Sequence, residues 1–398
     1  MNSPSPPAVC IIIENLPAPM DRRVWQESRA LRDAGYRVSV ICPKRGEFTL
    51  AYEKLEGIEI YRYPLHEARG PLGYLVEYTW ALAAQFILAV KVYHRTRFRI
   101  IQACNPPDTI FLVALFFKLF GVKFLFDHHD LNPELFEAKF GKRSGLLYRL
   151  VCLAERMTYR AADVSIATNE SYRAVALKRG GMKSERVFVV RSAPDPALLF
   201  TKPPDPALKQ GKKFLIAYLG VMGAQEGLDL LLEALRLVVA KRGPDEVGCV
   251  LMGGGPELPH LTKLAHEMGL DSVVRFTGRV TDADLATTLS TADVCVAPDP
   301  KNPMNDQSTM NKVLEYMAFG RPVVMFDLTE GRRSAGGAAL YARSNDPADF
   351  AAQILTLLNS DALREKLGQA GRGRIETTLN WATEKEQLLK AYELVMKG

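Results

Sequence analysis

Apolar positions along this chain follow two alternating patterns. Short unbroken apolar runs, such as AVCIII at 8–13 and RVSVICP at 37–43, read as parallel strands buried on both faces. Between them lie segments of helical spacing, the first running from near Asp21 to Gly35. IEIYRYP at 58–64, GVKFLFD at 121–127, DVSIA at 163–167 and RVFVV at 186–190 continue the strand series. From residue 213 the alternation starts afresh with KFLIAYLG, GCVLMG, VVRFTG, DVCVAP, RPVVMFD and AALYARS, separated by amphipathic helical stretches. Strands alternating with helices predict a parallel sheet in each half, and so two Rossmann-like α/β domains.

The join shows in composition. TKPPDPALKQGKK at 201–213 carries three prolines and no apolar period, which predicts a first domain over 1–205 and a second over 206–380, with a last helix from about Trp381 to Gly398. A chain of 398 residues is long enough for two cores of ordinary size. The first half also holds two long apolar stretches. One, from Gly70, reads as a single long helix ending in His94, Arg95 and Arg97. The other, 109–126, reads as a helix to about Phe120 followed by a strand, because Lys118, Gly121 and Lys123 interrupt any span of membrane length. Core packing accounts for most of these residues, and an amphipathic or basic face resting on anionic lipid is the other role open to them.

A chain 47% hydrophobic and 24% charged has the balance of a folded globular protein, not a disordered one. Its net charge of +6 suits an anionic ligand or a membrane surface. No basic run is interleaved with aromatics, so nucleic acid is not expected as a partner. The six cysteines, at 10, 42, 104, 152, 249 and 295, are scattered without CxxC pairs and read as buried reduced thiols. MNSPSPPAVC lacks a basic n-region leading into an apolar h-region, so the expected place is the cytoplasm, with contact at the inner face of the membrane as an addition.

The stretch richest in chemistry is PDPKNPMNDQSTMNKVLEYMAFGRPVV, 298–324. A Pro/Asn/Asp-rich loop feeds a short helix with Ser308 or Thr309 as N-cap, Gly320 as terminating glycine and Pro322 beyond it. Met310, Val313, Leu314 and Met317 form a stripe for packing on a sheet, while Asn311 and Glu315 share another face beside the helix start. There the amides of Met310, Asn311 and Lys312 and the positive end of the dipole suit a diphosphate, with Lys312 beside it. Glu315 then reaches on to the paired hydroxyls of a ribose. A plain surface helix with Lys312 and Glu315 in solvent fits the same pattern.

These residues resemble the donor-site motif of the retaining GT-B glycosyltransferases of family 4, in which two acidic residues eight positions apart precede a run ending in A-x-G-x-P-V. Glu315, Met317, Ala318, Gly320, Pro322 and Val323 match its second half. Gln307 stands where the first acid is expected, a departure that bears on the transferred sugar more than on the nucleotide. The run S-x-M-N-K-x-x-E-Y-M-A is similar to a bacterial surface-polysaccharide subgroup that includes N-acetyl-L-fucosaminyltransferases. The resemblance implies a GT-B fold, with two Rossmann-like domains facing across a cleft, nucleotide sugar on the second and acceptor on the first. It implies a last helix that crosses back to the first domain. The implied reaction moves a hexosyl unit, with retention, from a nucleotide sugar, UDP-linked by default, to a lipid-linked or saccharide acceptor in surface-polysaccharide synthesis. The leaving phosphate helps deprotonate the acceptor, and no cofactor is implied.

The same resemblance places further residues. In the glycine turn after the first strand of the second domain the family carries an arginine and a lysine against the diphosphate; here Val221 and Glu226 occupy those positions. The backbone of Gly220 to Gly223 remains, with Lys312 and Arg279 as replacement cations. Gln307 or Asn311 is then placed on the sugar. His129 and Asp130 match the family's H-D pair near the reacting sugar, with His128 as the competing register. Adjacent histidines on an extended segment point opposite ways, so a shared metal is not expected. In the loop after the first strand Arg22 and Arg23 are candidates to grip a phosphate, against the plainer reading of a solvated first-turn pair. Asp282 and Asp284 look like a metal-binding D-x-D, yet they precede an apolar helical run and read as capping and first-turn acids, so no metal is assigned. Two rivals stand beside sugar transfer: a nucleotide-sugar 2-epimerase on a similar scaffold, and a non-catalytic sugar-nucleotide binder.

Overall fold

The computed structural model describes residues 6–65, 70–141, 143–195 and 201–397. Residues 1–5, which belong to the stretch read for a leader, and Gly398 lie outside them. The chain divides into two compact units, Met1–Arg191 with Glu384–Gly398, and Ser192–Thr383.

The first unit runs β1 (Ala8–Ile12), α1 (Arg22–Asp33), β2 (Arg37–Pro43), β3 (Tyr52–Leu55), β4 (Ile58–Tyr63), α2 (Gly70–Thr96), β5 (Ile100–Cys104), α3 (Phe111–Lys118), β6 (Lys123–His128), α4 (Asn132–Phe140), α5 (Leu146–Ala161), β7 (Val164–Ala167), α6 (Glu170–Lys178) and β8 (Val187–Val189). Its sheet has the order β3-β4-β2-β1-β5-β6-β7-β8 and is parallel except for the antiparallel β3–β4 pair. β1 and β5, both wholly buried, are neighbours at its middle. That is why the sequence reads there as continuous apolar runs. β3, four residues long and largely exposed, leaves no such mark. α1 starts at Asp21, whose carboxylate accepts the Val24 amide at 2.9 Å, a conventional N-cap.

The second unit runs β9 (Phe214–Leu219), α7 (Leu228–Arg242), β10 (Val247–Met252), α8 (Leu258–Glu267), β11 (Val274–Gly278), α9 (Asp282–Thr291), β12 (Val294–Ala297), α10 (Asn311–Ala318), β13 (Val323–Phe326), α11 (Thr329–Ala335), β14 (Ala339–Ala342), α12 (Pro347–Leu358) and α13 (Asp361–Thr377). All six strands are parallel, in the order β11-β10-β9-β12-β13-β14. The glycine cluster after β10 serves close packing. A Cβ on Gly253 would stand 1.8 Å from the Gly220 carbonyl, so only glycine lets the loops after β9 and β10 lie this close. Thr281 caps α9, accepting the Asp284 amide and donating to the Asp284 carboxylate, so Asp282 and Asp284 are first-turn acids.

The expected boundary at 201–213 lies later than the one observed. The amides of Lys202 and Asp205 donate to Ser290 Oγ at 3.1 Å and Thr291 Oγ1 at 2.9 Å, which fastens this proline-rich segment to α9 and makes it part of the second unit. The last helix, α14 (Trp381–Lys397), contributes Glu384 onward to the first unit. Glu384 accepts the Arg191 amide at 2.9 Å, and the Tyr392 hydroxyl donates to Gln102. All six cysteines are free thiols, five of them buried and Cys152 partly so. Among the described residues no helix is long and apolar enough to cross a membrane.

Candidate functional site

β9 and β12 lie side by side at the centre of the second sheet, and the connections leaving their carboxyl ends lead to opposite sides of it. A crevice at such a switch point is where open α/β sheets take ligands. The cavity here, about 270 Å³, is lined by Leu219, Gly220, Val221 and Glu226 from the β9 side and by Thr309, Met310, Asn311, Lys312 and Glu315 from the β12 side. Val313, Leu314, Tyr316 and Met317 bury the other face of α10, and Tyr316 accounts for the rigidity of the join: its hydroxyl accepts the Leu219 amide at 2.7 Å. Gly320, at φ 66°, follows the helix end as expected.

The cap of α10 differs from expectation. Met310 is the N-cap, with extended backbone and no side-chain hydrogen bond. A 3-10 turn, Asn305–Gln307, draws the Ser308 hydroxyl back onto the Met304 carbonyl at 2.8 Å, away from the helix start. The first amide bonded within the helix is that of Val313, to the Met310 carbonyl at 2.9 Å. The amides of Met310, Asn311 and Lys312 therefore precede the intrahelical ladder, beside the cavity and without a capping side chain, which is the arrangement an anion uses.

Lys312 is not a lone cation beside this turn. Its Nζ lies 2.7 Å from Glu226 Oε2 and 2.8 Å from Asp299 Oδ1, and stands over the Tyr218 ring at 4.9 Å. Burial disfavours the ammonium, but Asp299 and Glu226 outweigh it and hold the group well above its usual range. Burial pushes Asp299 up to about 6 even with Lys312 beside it, and its Oδ2 has no hydrogen-bond partner among the described residues. Glu226, standing where the resembled family has a lysine, and Lys312 thus form an ion pair across the crevice. Asp299, two residues past β12, was not singled out in the sequence; only its place in the loop after an apolar strand could have signalled it.

Other expected donor residues fall around the cavity unevenly. The Gly220 amide is spent on the Met252 carbonyl at 3.0 Å and the Met222 amide on the Gly254 carbonyl at 3.0 Å, so this turn has fewer amides for phosphate than its glycines suggest. Gly223 and Arg279 do not line the cavity. Neither does Gln307, whose side-chain amide donates to the Pro303 carbonyl at 2.7 Å. Its neighbour Asp306 holds the start of α11, accepting the Thr329 amide at 2.8 Å.

In the first unit, Asp127 at the end of β6 organises a buried network. Its Oδ1 accepts from Arg23 Nη2 at 2.8 Å, and its Oδ2 lies 2.7 Å from His129 Nε2 and accepts from Gln102 at 3.1 Å. Arg23 also meets Glu27 at 3.1 Å and donates to the Val190 carbonyl at 2.6 Å. Arg23 is thus only 7% exposed and serves as a structural cation, contrary to the phosphate grip expected of it. Arg22 is exposed at the same helix start. Burial opposes charge on Asp127, but Arg23 and His129 outweigh it and hold its carboxyl well below the usual range. For His129 burial again opposes charge and Asp127 prevails, so its pKa is raised. The 2.7 Å contact then has His129 Nε2–H donating to Asp127. Asn105 clamps the loop that follows, its Oδ1 accepting the amides of His129 at 2.7 Å and Asp130 at 3.2 Å and its Nδ2 donating to the Asp130 carbonyl at 2.7 Å. His128 is turned into the core, fully buried beside the Tyr159 hydroxyl at 2.8 Å, with its pKa lowered to about 3 by burial.

Ligand atoms of Cys104, Asp127 and His129 lie within 4.8 Å of one another. The Arg23 guanidinium occupies the same space, its Nε 3.0 Å from His129 Nε2, and burial together with Asp127 keeps the Cys104 thiol protonated. A metal ion there would sit against a fixed cation, so the cluster fits a hydrogen-bond network better than a metal centre.

Comparison with known proteins agrees with both halves. Residues 20–193 match the glycosyl transferase 4-like domain model and residues 213–360 the glycosyl transferases group 1 model. The chain is 31% identical over 173 residues to a phosphatidyl-myo-inositol mannosyltransferase of Mycobacterium leprae, covering 43% of this chain and 44% of that one. It is 29% identical over 262 residues to a D-inositol 3-phosphate glycosyltransferase of Thermomonospora curvata, covering 60% and 59%. The chain thus spans about half the length of the curated relatives it matches. Among solved structures, a sucrose-phosphate synthase from Thermosynechococcus elongatus matches with a TM-score of 0.81 at 18% identity over 98% of this chain and 99% of that one. Anabaena HepE in complex with UDP-glucose matches with a TM-score of 0.72 at 16% identity over 97% and 99%. These likenesses show a GT-B fold of two Rossmann-like domains, and its two halves match a glycosyl transferase 4-like domain followed by a glycosyl transferases group 1 domain.

Proposed function

We propose that this protein is a retaining glycosyltransferase that moves a hexosyl unit from a UDP-sugar to a lipid-linked or saccharide acceptor in surface-polysaccharide synthesis. One observation carries the donor half: an uncapped helix start and a carboxylate one turn later, Glu315, line the same switch-point cavity. The diphosphate rests on the amides of Met310, Asn311 and Lys312, and Glu315 takes the ribose hydroxyls. In transfer the bond from the anomeric carbon to the diphosphate oxygen breaks, the acceptor oxygen bonds to that carbon on the same face, and the acceptor proton passes to the leaving phosphate. The helix dipole and the unsatisfied amides stabilise the charge that develops on the leaving group. Lys312 acts chiefly as a tie, because its ammonium is already matched by Glu226 and Asp299. His129, held by Asp127, is proposed to serve the transfer step, and Asn311 to touch the sugar. A structural neighbour bound to UDP-glucose and relatives named as glycosyltransferases support the reading.

Calorimetric titration with UDP and UDP-sugars, followed by incubation with lipid-linked acceptors, tests it. Saturable UDP binding that Glu315→Ala weakens, with acceptor-dependent release of free UDP, is the expected result. Binding without release in the presence of acceptors would identify a non-catalytic binder, and conversion of the UDP-sugar without acceptor an epimerase.

A further inference from the structure

α5 presents an outer face that packing does not explain. On its helical wheel Leu146, Leu150 and Leu153 lie together with Leu147 at their border, and Arg149, Arg156 and Arg160 form the adjoining strip. All seven are exposed, Leu146 at 74% and Leu153 at 52%. The opposite face buries Glu155, Thr158 and Tyr159 against the rest of the unit. Glu155 is the single acid of the helix and is turned inward onto Arg179 at 2.6 Å. Among the described residues, Arg149, Arg156 and Arg160 have no acidic partner. The face therefore joins uncompensated positive charge to bare leucine along about four turns. α3, packed against α5, is exposed at Leu112, Leu115 and Leu119.

A second copy of this chain is a poor occupant, since a two-fold contact would bring arginine strips together. An acidic, partly apolar surface answers both halves of the face. We infer that the outer face of α5 docks the first unit on an anionic phospholipid surface, its leucines entering the acyl boundary and its arginines meeting headgroup phosphates. This deepens the reading of a lipid-linked acceptor and is independent of the donor site, which lies in the other unit.

The test is sedimentation of the full chain with vesicles of phosphatidylcholine alone and of phosphatidylcholine with phosphatidylglycerol. The protein is expected to partition onto the anionic vesicles and to be released by salt. Arg149→Gln/Arg156→Gln/Arg160→Gln is expected to weaken that partition by at least about tenfold and to abolish its salt dependence. Leu146→Ser/Leu147→Ser/Leu150→Ser/Leu153→Ser is expected to abolish it, with UDP affinity retained by both variants as proof of folding. Partition equal to the parent's in the arginine variant, or no partition by the parent, overturns the proposal. So does a leucine-dependent dimer that ignores vesicles. Loss of UDP binding in the parent with vesicle binding intact overturns the donor-site reading alone.

Discussion

Each unit holds a cation buried between two carboxylates, and the two arrangements differ in what is left over. In the first unit Arg23 lies between Asp127 and Glu27, and its planar fork is consumed by Asp127, Glu27 and the Val190 carbonyl. In the second, Lys312 lies between Glu226 and Asp299 on the wall of an open cavity. The guanidinium cluster presents a neighbour, His129, whose Nε2 is fixed against Asp127. The ammonium cluster presents the helix start that carries it. A buried ion pair thus works here as a positioning device, and what matters chemically is the group it holds in place.

That contrast breaks most visibly at Lys312. Lys312→Met leaves Glu226 and Asp299 facing each other unpaired, and is expected to cost about 3–5 kcal/mol of stability and roughly a hundredfold in UDP affinity, read by chemical denaturation and calorimetry. Adding Glu226→Gln and Asp299→Asn should restore most of the stability. If the single variant binds UDP like the parent, the tie is irrelevant to the site.

Asp127→Asn is the matching test in the first unit. Arg23 and His129 lose their common partner, and a loss of about 3 kcal/mol is expected. The pH profile of turnover should shift to lower pH, because the carboxylate that raises the His129 pKa is gone, while UDP affinity stays unchanged.

A third prediction concerns a buried carboxylate that no cation among the described residues neutralises. Glu14 has its pKa raised to about 8 by burial, and its Oε1 has no hydrogen-bond partner among the described residues. A raised carboxyl pKa favours the folded state only while the group is protonated. Its contribution is complete below the unfolded value of about 4.5 and is lost as pH rises through about 8. Glu14→Gln is therefore expected to match the parent near pH 4 and to exceed it near pH 9, by at most the roughly 4–5 kcal/mol that such a shift carries. Equal stabilities at both pH values would show the carboxyl to be solvated.

The smallest effect sharpens the donor site. Glu315→Gln should weaken UDP binding about tenfold and leave inorganic pyrophosphate binding unchanged, since the carboxylate is assigned to ribose and not to phosphate.

The fold was legible because both sheets are parallel but for β3 and their central strands are buried on both faces, so these strands appear as apolar runs with helices between. α10 was legible for the same reason, with its stripe at Val313, Leu314 and Met317 and its glycine at 320. What escaped was set by tertiary contacts that spacing does not encode. Ser308 has the chemistry of an N-cap, yet the turn before it takes its hydroxyl. Arg23 has the chemistry of a phosphate ligand, yet Asp127, 104 residues away, claims it. Asp299 and Asp127 follow apolar strands in a way common to many loop acids, and only their distances to Lys312 and His129 give them roles. The pairing of Glu226 with Lys312 was half visible: the absence of the usual lysine was plain, while the 2.7 Å contact needed coordinates.

The account's central claim is that the first turn of α10 holds a diphosphate while Glu315 holds the ribose joined to it. A crystal structure with UDP bound tests this most directly. The predicted result places phosphate oxygens within hydrogen-bond distance of the amides of Asn311 and Lys312, with the ribose hydroxyls on the Glu315 carboxylate. A nucleotide lodged elsewhere, with this turn untouched, would contradict it.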